Sequence, residues 1–454
     1  MSPVDPASVA TLLARETAAY ADAHPLCRAG YDAATNLFGH VPMTWMNMWA
    51  GGFPLQLDRA SGNRVTCLDG VELLDFALGD TGAMAGHAPP ATVRAVARRM
   101  GELGGVTAML PTPDAQWVGA ELERRFGLPR WSFTLSATDA NRWAVRLARL
   151  VTGRPKVLVF GHCYHGTVDE TFAVPGPGGT TVTRPGNVAP PVPVSETTYA
   201  VPWNDLSAVE AALTHGDVAA ILTEPALTNI GIVLPDEGFH KGLRELASRF
   251  GVLLMIDETH TFSAGWGGAT RAWGLEPDIL VIGKSIGGGI PCGAYGLRSS
   301  VADAVLARTQ SGEADIVDVG GVGGTLAGNA LSTAAMRATL GEVLTEEAFT
   351  RMVALGTRYA EGVQAVIDDL DLPWSVGQVG ARAEYRFTRP APHTGEDSAA
   401  AADEDLDACL HVALANRGVL MTPFHNMALM CPTTTADDVD RHLAVLREVA
   451  AALV

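Results

Sequence analysis

The chain has 454 residues, a hydrophobic fraction of 47% and a formal net charge of −18. This length allows one large core with a smaller lobe, or two to three domains of ordinary size. The excess of acidic side chains disfavours nucleic acids and anionic membrane surfaces as partners. No stretch approaches the ~20 consecutive apolar residues that span a bilayer, so we expect a cytoplasmic protein.

The cysteines and lysines narrow the possible chemistry. Six cysteines are scattered along the chain without a CxxC pair, so reduced and mostly buried thiols are predicted. Of the 32 basic residues, only Lys156, Lys241 and Lys284 are lysine. Arginine replaces lysine in most electrostatic roles but stays protonated and is not an amine nucleophile. Each of the three lysines is therefore a candidate amine nucleophile.

Secondary structure is predicted from the apolar patterns in chain order. A helix at Pro6–His24 and an apolar stretch at Val41–Leu57 come first. From about residue 70 to 340, β-rich runs alternate with helical patterns, which indicates βαβ units and a mostly parallel sheet. The predicted strands are Trp131–Leu135, Lys156–Phe160, Val218–Thr223, Val252–Ile256, Asp278–Ile282 and Gly293–Leu297. The predicted helices are Trp117–Phe126, Ala140–Leu150, Leu206–Leu213, Phe239–Phe250 and Asn329–Leu340.

Two regions depart from this alternation. Pro175–Pro202 is rich in Pro, Gly, Thr and Val, and we interpret it as a long surface loop that either shapes a site or is a solvated insertion. After residue 340 the pattern predicts a helix at Glu346–Ile367 and strands at Trp374–Gln378 and Ala383–Phe387. We therefore expect a large domain at 71–340, a small α+β domain at 341–454, and an N-terminal segment at 1–70 that packs on the small domain or a neighbouring subunit.

Charged side chains follow two predicted strands at their carboxyl ends, where ligands bind in open parallel sheets. The apolar run at 252–256 ends before Asp257, and the run at 278–282 leads to Lys284 and three consecutive glycines. An acid and an amine are therefore predicted in one crevice. A structural ion pair would give the same pattern.

Two other strand ends carry further candidates. Ser136 and Thr138 stand at the beginning of a helix whose free backbone N–H groups suit a phosphate, although an ordinary helix cap is the alternative. Another strand leads to Tyr164, between His162 and His165. No metal is predicted at these histidines, because no further Cys, His or acidic cluster completes a site.

A lysine, a carboxylate, an anion-binding helix N-terminus and an aromatic ring match the needs of pyridoxal 5′-phosphate (PLP). The lysine forms a Schiff base, the acid keeps the pyridine nitrogen protonated, and the aromatic ring stacks on the cofactor. Each feature is weak alone. The four in this order are specific.

Several motifs point to one family. They are Ser136–Asn141, Arg146–Arg149, Thr152–Arg154, Tyr164–Gly166, Glu224-Pro225 with Asn229, Asp257–Thr261, Pro277-Asp278, Gly283-Lys284 with its glycine turn, and Gly324-Thr325 with Gly328-Asn329. Over nearly all of residues 40–450 the chain resembles the class III aminotransferases of fold type I, near glutamate-1-semialdehyde 2,1-aminomutase. The resemblance implies an α/β fold, with a mostly parallel seven-stranded sheet in the large domain and a smaller α+β domain.

The resemblance also implies roles for individual residues. Lys284 would form the Schiff base and move a proton, and Asp257 would bond the pyridine nitrogen. The other implied cofactor contacts are Tyr164 stacking on the ring, Thr259 packing behind it, Glu224, Asn229 and His260 near the ring hydroxyl, and Ser136, Ala137 and Thr138 at the phosphate. Thr325 would reach the phosphate from the other subunit, so the site would require a homodimer.

The chain departs from the family pattern in two segments that correspond to substrate-binding motifs of the aminomutase. Val41–Trp45 has no cation where the aminomutase has an arginine for the substrate carboxylate, and Pro423–Ala428 lacks the corresponding carboxylate. Trp45 is therefore predicted to line the substrate pocket. Loss of a charged clamp favours apolar amines. An arginine from elsewhere, such as Arg184, is the alternative. His260 also replaces the Gln or Met common at its position.

These features predict a transaminase of the amine:pyruvate type that passes an amino group from a primary amine to a keto acid by a ping-pong mechanism, with (S)-selectivity. The alternatives within the family are the aminomutase and a β-amino-acid aminotransferase. A nicotinamide-dependent dehydrogenase fits poorly, because Gly320–Gly324 does not form a GxGxxG motif. A binding module without catalysis would have no use for Lys284 and Asp257 together.

Overall fold

Helices and strands alternate through the middle of the chain. A computed structural model describes residues 4–454, so residues 1–3 of the predicted N-terminal segment lie outside the described part. The helices are α1 (Pro6–Ala23), α2 (Pro25–Ala33), α3 (Pro90–Arg98), α4 (Pro113–Phe126), α5 (Ala137–Thr152), α6 (Leu206–Leu213), α7 (Phe239–Phe250), α8 (Gly268–Ala272), α9 (Ser299–Gln310), α10 (Ala330–Ala338), α11 (Glu346–Asp369), α12 (Gly395–Ala400), α13 (Glu404–Asn416) and α14 (Ala436–Ala451). The strands are β1 (Leu57–Ser61), β2 (Arg64–Cys67), β3 (Glu72–Asp75), β4 (Arg130–Thr134), β5 (Lys156–Phe160), β6 (Ala173–Pro175), β7 (Thr181–Thr183), β8 (Thr198–Val201), β9 (Val218–Thr223), β10 (Leu253–Asp257), β11 (Ile279–Gly283), β12 (Gly293–Leu297), β13 (Ser375–Val379), β14 (Arg382–Arg386), β15 (Val419–Leu420) and β16 (Met427–Leu429).

The chain divides into two compact units. The central unit consists of Pro90–Phe349 and Pro392–Ala400, and the terminal unit of the chain up to Pro89 with Thr350–Ala391 and Ala401–Val454. The three-part division at residues 70 and 340 stays a prediction. None of the described helices is long and apolar enough to cross a membrane.

The central unit is built on a seven-stranded sheet of order β4-β12-β11-β10-β9-β5-β8. β12 runs antiparallel to both its neighbours, and the other pairs are parallel. β9, β11 and β12 are buried along their whole length, as expected for a sheet covered on both faces. The predicted α/β class with a mostly parallel sheet is confirmed.

The six predicted strands all belong to this sheet, and their bounds differ from the observed ones by at most one residue. Two strands, β7 and β8, lie within Pro175–Pro202, which we interpreted as a loop, so that interpretation was wrong for these two segments. β8 is the seventh strand of the large sheet. β8 has four residues and pairs only with β5 at the edge of the sheet. A short edge strand before a proline lacks the long apolar run that identified the others.

The terminal unit contains two smaller sheets. β1, β2, β3 and β15 form one, and β13, β14 and β16 form the other. α1 packs against α13 within this unit. Helix α11 and strands β13 and β14 lie within a few residues of their predicted positions, so an α+β arrangement is observed here.

A buried arginine joins α4 to two loops of the central unit. Arg125 is 1% exposed. Its guanidinium donates to Glu121 Oε1 at 2.7 Å and to the carbonyl oxygens of Trp266, Leu340 and Leu344 at 3.1, 2.8 and 3.0 Å. One side chain therefore satisfies three buried acceptors and one partly buried acceptor.

We expect Arg125→Met to lower the free energy of unfolding by about 3–5 kcal/mol, because the carboxylate and the carbonyls lose a buried donor. Urea denaturation followed by circular dichroism measures this. Arg124→Met is the control, since Arg124 also bonds Glu121 but is exposed, and its loss should stay below about 1 kcal/mol. Equal losses in the two variants would contradict this account.

Candidate active site

Lys284 directly follows β11 at its carboxyl end. Its φ of 51° lies in the left-handed region, which is uncommon for a residue other than glycine. Its Nζ lies 3.0 Å from Nε2 of His260, which follows β10. Backbone strain at a strand end is typical of functional positions. The predicted lysine is therefore held next to a predicted cofactor residue.

The turn at Lys284 lies against the beginning of α5. A Cβ on Gly283 would lie 2.9 Å from the amide nitrogen and Cβ of Ala137. A Cβ on Gly293 would lie 2.6 Å from the carbonyl of Ser136. Glycine at these two positions lets the strand ends approach the helix N-terminus. The structure thus brings the amine and the predicted phosphate site to the same edge of the sheet.

The first turn of α5 combines a helix cap with free amides. Ser136 is the N-cap, and its hydroxyl accepts the Asp139 N–H at 3.2 Å. Thr138 Oγ1 accepts the Thr167 N–H at 3.3 Å. The amides of Ala137 and Thr138 belong to the first turn, which has no acceptor within the helix. The predicted cap is present and leaves these amides able to bind an anion.

Asp257 ends β10 and is held by three side chains. It is 3% exposed. Its Oδ2 accepts from Asn141 Nδ2 at 2.7 Å and lies 3.0 Å from His165 Nδ1. Its Oδ1 accepts from the Thr259 amide at 3.0 Å and the Thr259 hydroxyl at 2.6 Å. Both carboxylate oxygens are therefore committed to donors.

These contacts set the charges of the pair. Burial raises the pKa of Asp257, but the hydrogen bond and charge of His165, with the bonds from Thr259 and Asn141, outweigh it and lower the pKa below its usual value. Burial lowers the pKa of His165, but Cys163 and Asp257 raise it well above its usual value. Both shifts favour the ionised carboxylate and the protonated imidazole.

Asn141 and His165 belong to the motifs of the family, but no sequence pattern connects either residue with Asp257. The position of Asn141 in its helix could have indicated that its side chain has a buried polar partner. It lies with Ala140 and Ala144 on the buried face of α5, where a polar residue needs a partner. His165 carries no such pattern.

Tyr164 and Glu224 form a second group. The Tyr164 amide donates to Glu224 Oε1 at 3.3 Å, and the Tyr164 ring meets Phe172 edge-to-face at 6.3 Å. The Thr228 hydroxyl donates to the other carboxylate oxygen of Glu224. Burial raises the pKa of Glu224. Asn229 follows in the same loop, half-buried.

Two further predicted residues are Thr325 and Trp45. Thr325 is exposed in the loop between α9 and α10, and its role across a dimer interface stays a prediction. Trp45 belongs to the terminal unit, where its ring meets Phe424 edge-to-face with centroids 5.9 Å apart. Both rings are partly exposed. The two segments without the expected charges therefore contact each other through an apolar pair.

Arg184, the alternative cation, contacts the residue that precedes Tyr164. Its Nη1 donates to the carbonyl of Cys163 at 3.1 Å. Its charge also acts on His162, because burial and then Arg184 lower the pKa of that imidazole. The central unit therefore has an arginine beside the loop that carries Tyr164.

We expect the His165–Asp257 pair to make stability depend on pH. A group whose pKa rises on folding stabilises fully below its unfolded pKa, about 6.5 for histidine, and this contribution is lost as the pH rises through the folded pKa. Asp257 stays ionised over this range. The stability advantage of wild type over His165→Asn should therefore be largest below about pH 6.5, shrink by up to about 1.4 kcal/mol per pH unit between that pH and the folded pKa, and vanish above the folded pKa.

Urea denaturation from about pH 6 to about pH 10 measures this difference. The exposed His215 provides the control, and His215→Asn should keep the wild-type profile. A pH-independent difference between wild type and His165→Asn would show that the imidazole is not charged in the folded protein.

Comparison with known proteins places these residues in context. The family model described as aminotransferase class-III matches residues 45–449. Glutamate-1-semialdehyde 2,1-aminomutase of Sorangium cellulosum is 34% identical over 450 residues, which cover 96% of this chain and 98% of that protein.

Solved structures agree with this match. A glutamate-1-semialdehyde aminomutase from Pseudomonas aeruginosa is 49% identical with a TM-score of 0.96, covering 99% of this chain and 100% of that one, and a variant of it was solved in complex with PMP. An omega-transaminase from Sphaerobacter thermophilus is 26% identical with a TM-score of 0.83, covering 94% of this chain and 97% of that one. The chain belongs to the class III aminotransferases of fold type I, whose cofactor is pyridoxal 5′-phosphate.

Proposed function

We propose that the chain moves an amino group within one substrate molecule, in a reaction of the glutamate-1-semialdehyde 2,1-aminomutase type. The observation that carries this proposal is the likeness to enzymes of that name over nearly the whole chain. It was the alternative left open by the sequence, and it now stands ahead of the amine:pyruvate reaction. The substrate would be a small amino aldehyde acid.

The residues of the central unit fit PLP. The buried, ionised carboxylate of Asp257 suits a protonated pyridine nitrogen, and the first turn of α5 suits a phosphate. Lys284 would hold the cofactor covalently, with Tyr164, Glu224, Asn229, Thr259 and His260 around its ring. Thr325 would reach the phosphate of the partner subunit's site in a homodimer. When bound, PLP supplies a ring that stabilises negative charge on the carbon beside the amino group.

The chain's own residues have separable tasks in this reaction. Asp257 would keep a proton on the ring nitrogen, since His165 and its other donors prevent the carboxylate from taking that proton. Lys284 Nζ would remove and return a proton at the substrate carbon. His260 Nε2, 3.0 Å from Nζ, would orient the amine.

We expect Lys284→Ala to lower kcat by about 10³-fold or more, because it removes both the covalent attachment and the proton carrier. Borohydride reduction of the wild-type holoenzyme should attach the cofactor to the peptide that contains Lys284, as read by mass spectrometry. Lys156→Ala and Lys241→Ala are the controls and should retain this label. Labelling at either of those lysines would overturn the assignment.

A second candidate, the amine transaminase, is favoured by one observation. The contact of Trp45 with Phe424 gives the terminal unit an exposed apolar pair where the aminomutase pattern has charges. Apolar rings do not hold a carboxylate, whereas they pack well against an aromatic amine. A transaminase also needs a cation for its keto acid, and Arg184 is the alternative named above.

Two assays with the holoenzyme separate the candidates. Glutamate 1-semialdehyde alone should give 5-amino-4-oxopentanoate, the product of moving the amino group from carbon 2 to carbon 1, without any keto acid. (S)-1-phenylethylamine with pyruvate should give no acetophenone. Chromatography of both mixtures is the measurement, and Lys284→Ala is the blank. Acetophenone that depends on pyruvate, with no isomerisation, would establish the second candidate instead.

A further inference from the structure

The terminal unit contains two thiols and a carboxylate in one cluster. Cys27 lies in α2, Cys67 ends β2, and Asp69 follows in the next turn. One ligand atom from each residue lies within 4.8 Å of the other two. The thiols are 0% and 3% exposed and pack with Tyr20 and Phe53. Three groups with metal-binding atoms are thus gathered in a mainly apolar surrounding.

His24 is the N-cap residue of α2, three positions before Cys27, and provides a further donor outside the 4.8 Å cluster. It is 2% exposed, and its Nδ1 lies 2.8 Å from the Tyr20 carbonyl. Its Nε2 is buried and has no hydrogen-bond partner among the described residues. A buried nitrogen without a partner costs free energy and calls for a ligand. An imidazole that gives its other N–H to a carbonyl is the usual arrangement of a metal-bound histidine.

Asp69 is held at the beginning of α2. The Leu26 and Cys27 amides donate to the carboxylate at 2.7 and 3.0 Å. Backbone groups therefore fix the orientation of this ligand.

The thiol of Cys27 is also oriented by its neighbours. The Gln56 amide donates to its Sγ at 3.2 Å, a contact that favours a thiolate. Cys27 Sγ also lies in one cluster with the Asp69 carboxylate. A cation between Cys27 and Asp69 would take the place of the thiol proton.

We propose that His24, Cys27, Cys67 and Asp69 bind one zinc ion. Thiolate and imidazole donors select Zn²⁺ over Mg²⁺ and Ca²⁺. Tetrahedral zinc holds its ligand atoms about 3.3–3.8 Å apart, so the three clustered atoms need to approach by about 1.5 Å at most, and the His24 imidazole would complete the set by moving toward them. Both thiols release their protons to solvent on binding, and Zn²⁺ keeps its oxidation state. Four protein ligands make a closed, structural site that ties α2 to β2, independent of the amino-group chemistry.

The test uses the full-length holoenzyme, treated with a chelator and a thiol reductant and then given one equivalent of Zn²⁺ or Co²⁺. After dialysis, elemental analysis should find about one zinc per chain. Co²⁺ should give tetrahedral d–d bands at longer wavelength than the cofactor absorbs. Cys27→Ser and Asp69→Asn should weaken zinc binding at least about 100-fold.

Cys409→Ser is the matched control, because Cys409 is also a buried free cysteine of the terminal unit, and it should bind zinc as wild type does. Asp69 is only partly buried, so Asp69→Asn keeps the test valid if a cysteine variant fails to fold. Wild type that retains no metal would overturn the proposal. Loss of two hydrogens by mass in wild type but not in Cys27→Ser would show a disulfide in its place.

Discussion

The ionised carboxylate of Asp257 is the constraint on which the site depends. A buried carboxylate ordinarily takes up a proton, and this one stays charged because His165, Asn141 and Thr259 all donate to it. These partners come from α5, from the loop after β5 and from the chain after β10, so only the parallel order of the sheet brings them to one end. The position of Lys284 beside Asp257 follows from the same strand order, because β11 runs parallel to β10 and next to it.

The sequence predicted best what depends on local apolar pattern. Buried parallel strands are continuous apolar runs, so their ends, and with them Asp257 and Lys284, could be located closely. The contact of His165 with Asp257 could not be predicted, because the two residues are 92 positions apart and no local sequence pattern indicates that they are partners. The edge strand β8 was missed because pairing with one neighbour needs little apolar surface. The cysteines at 27 and 67 looked scattered, since their proximity comes from the fold alone.

The residues proposed for the cofactor and the segments proposed for the substrate lie in different units of the chain. The groups suited to PLP all lie in the central unit, whereas Trp45 and Phe424 lie in the terminal unit. Segments such as these can change charge without disturbing Asp257 or Lys284. Similarity to the family therefore supports an inference about the type of reaction more strongly than one about the substrate. The two candidate functions would use the same catalytic residues.

The division of the chain has a consequence for its synthesis. The path passes between the units four times, after Pro89, Phe349, Ala391 and Ala400. On the ribosome, the central unit lacks its last segment until residue 400 has emerged, and the first helix of the terminal unit lacks its main partner until α13 has been made. This early helix therefore completes its contacts late. During translation they are the part most open to chaperones and proteases.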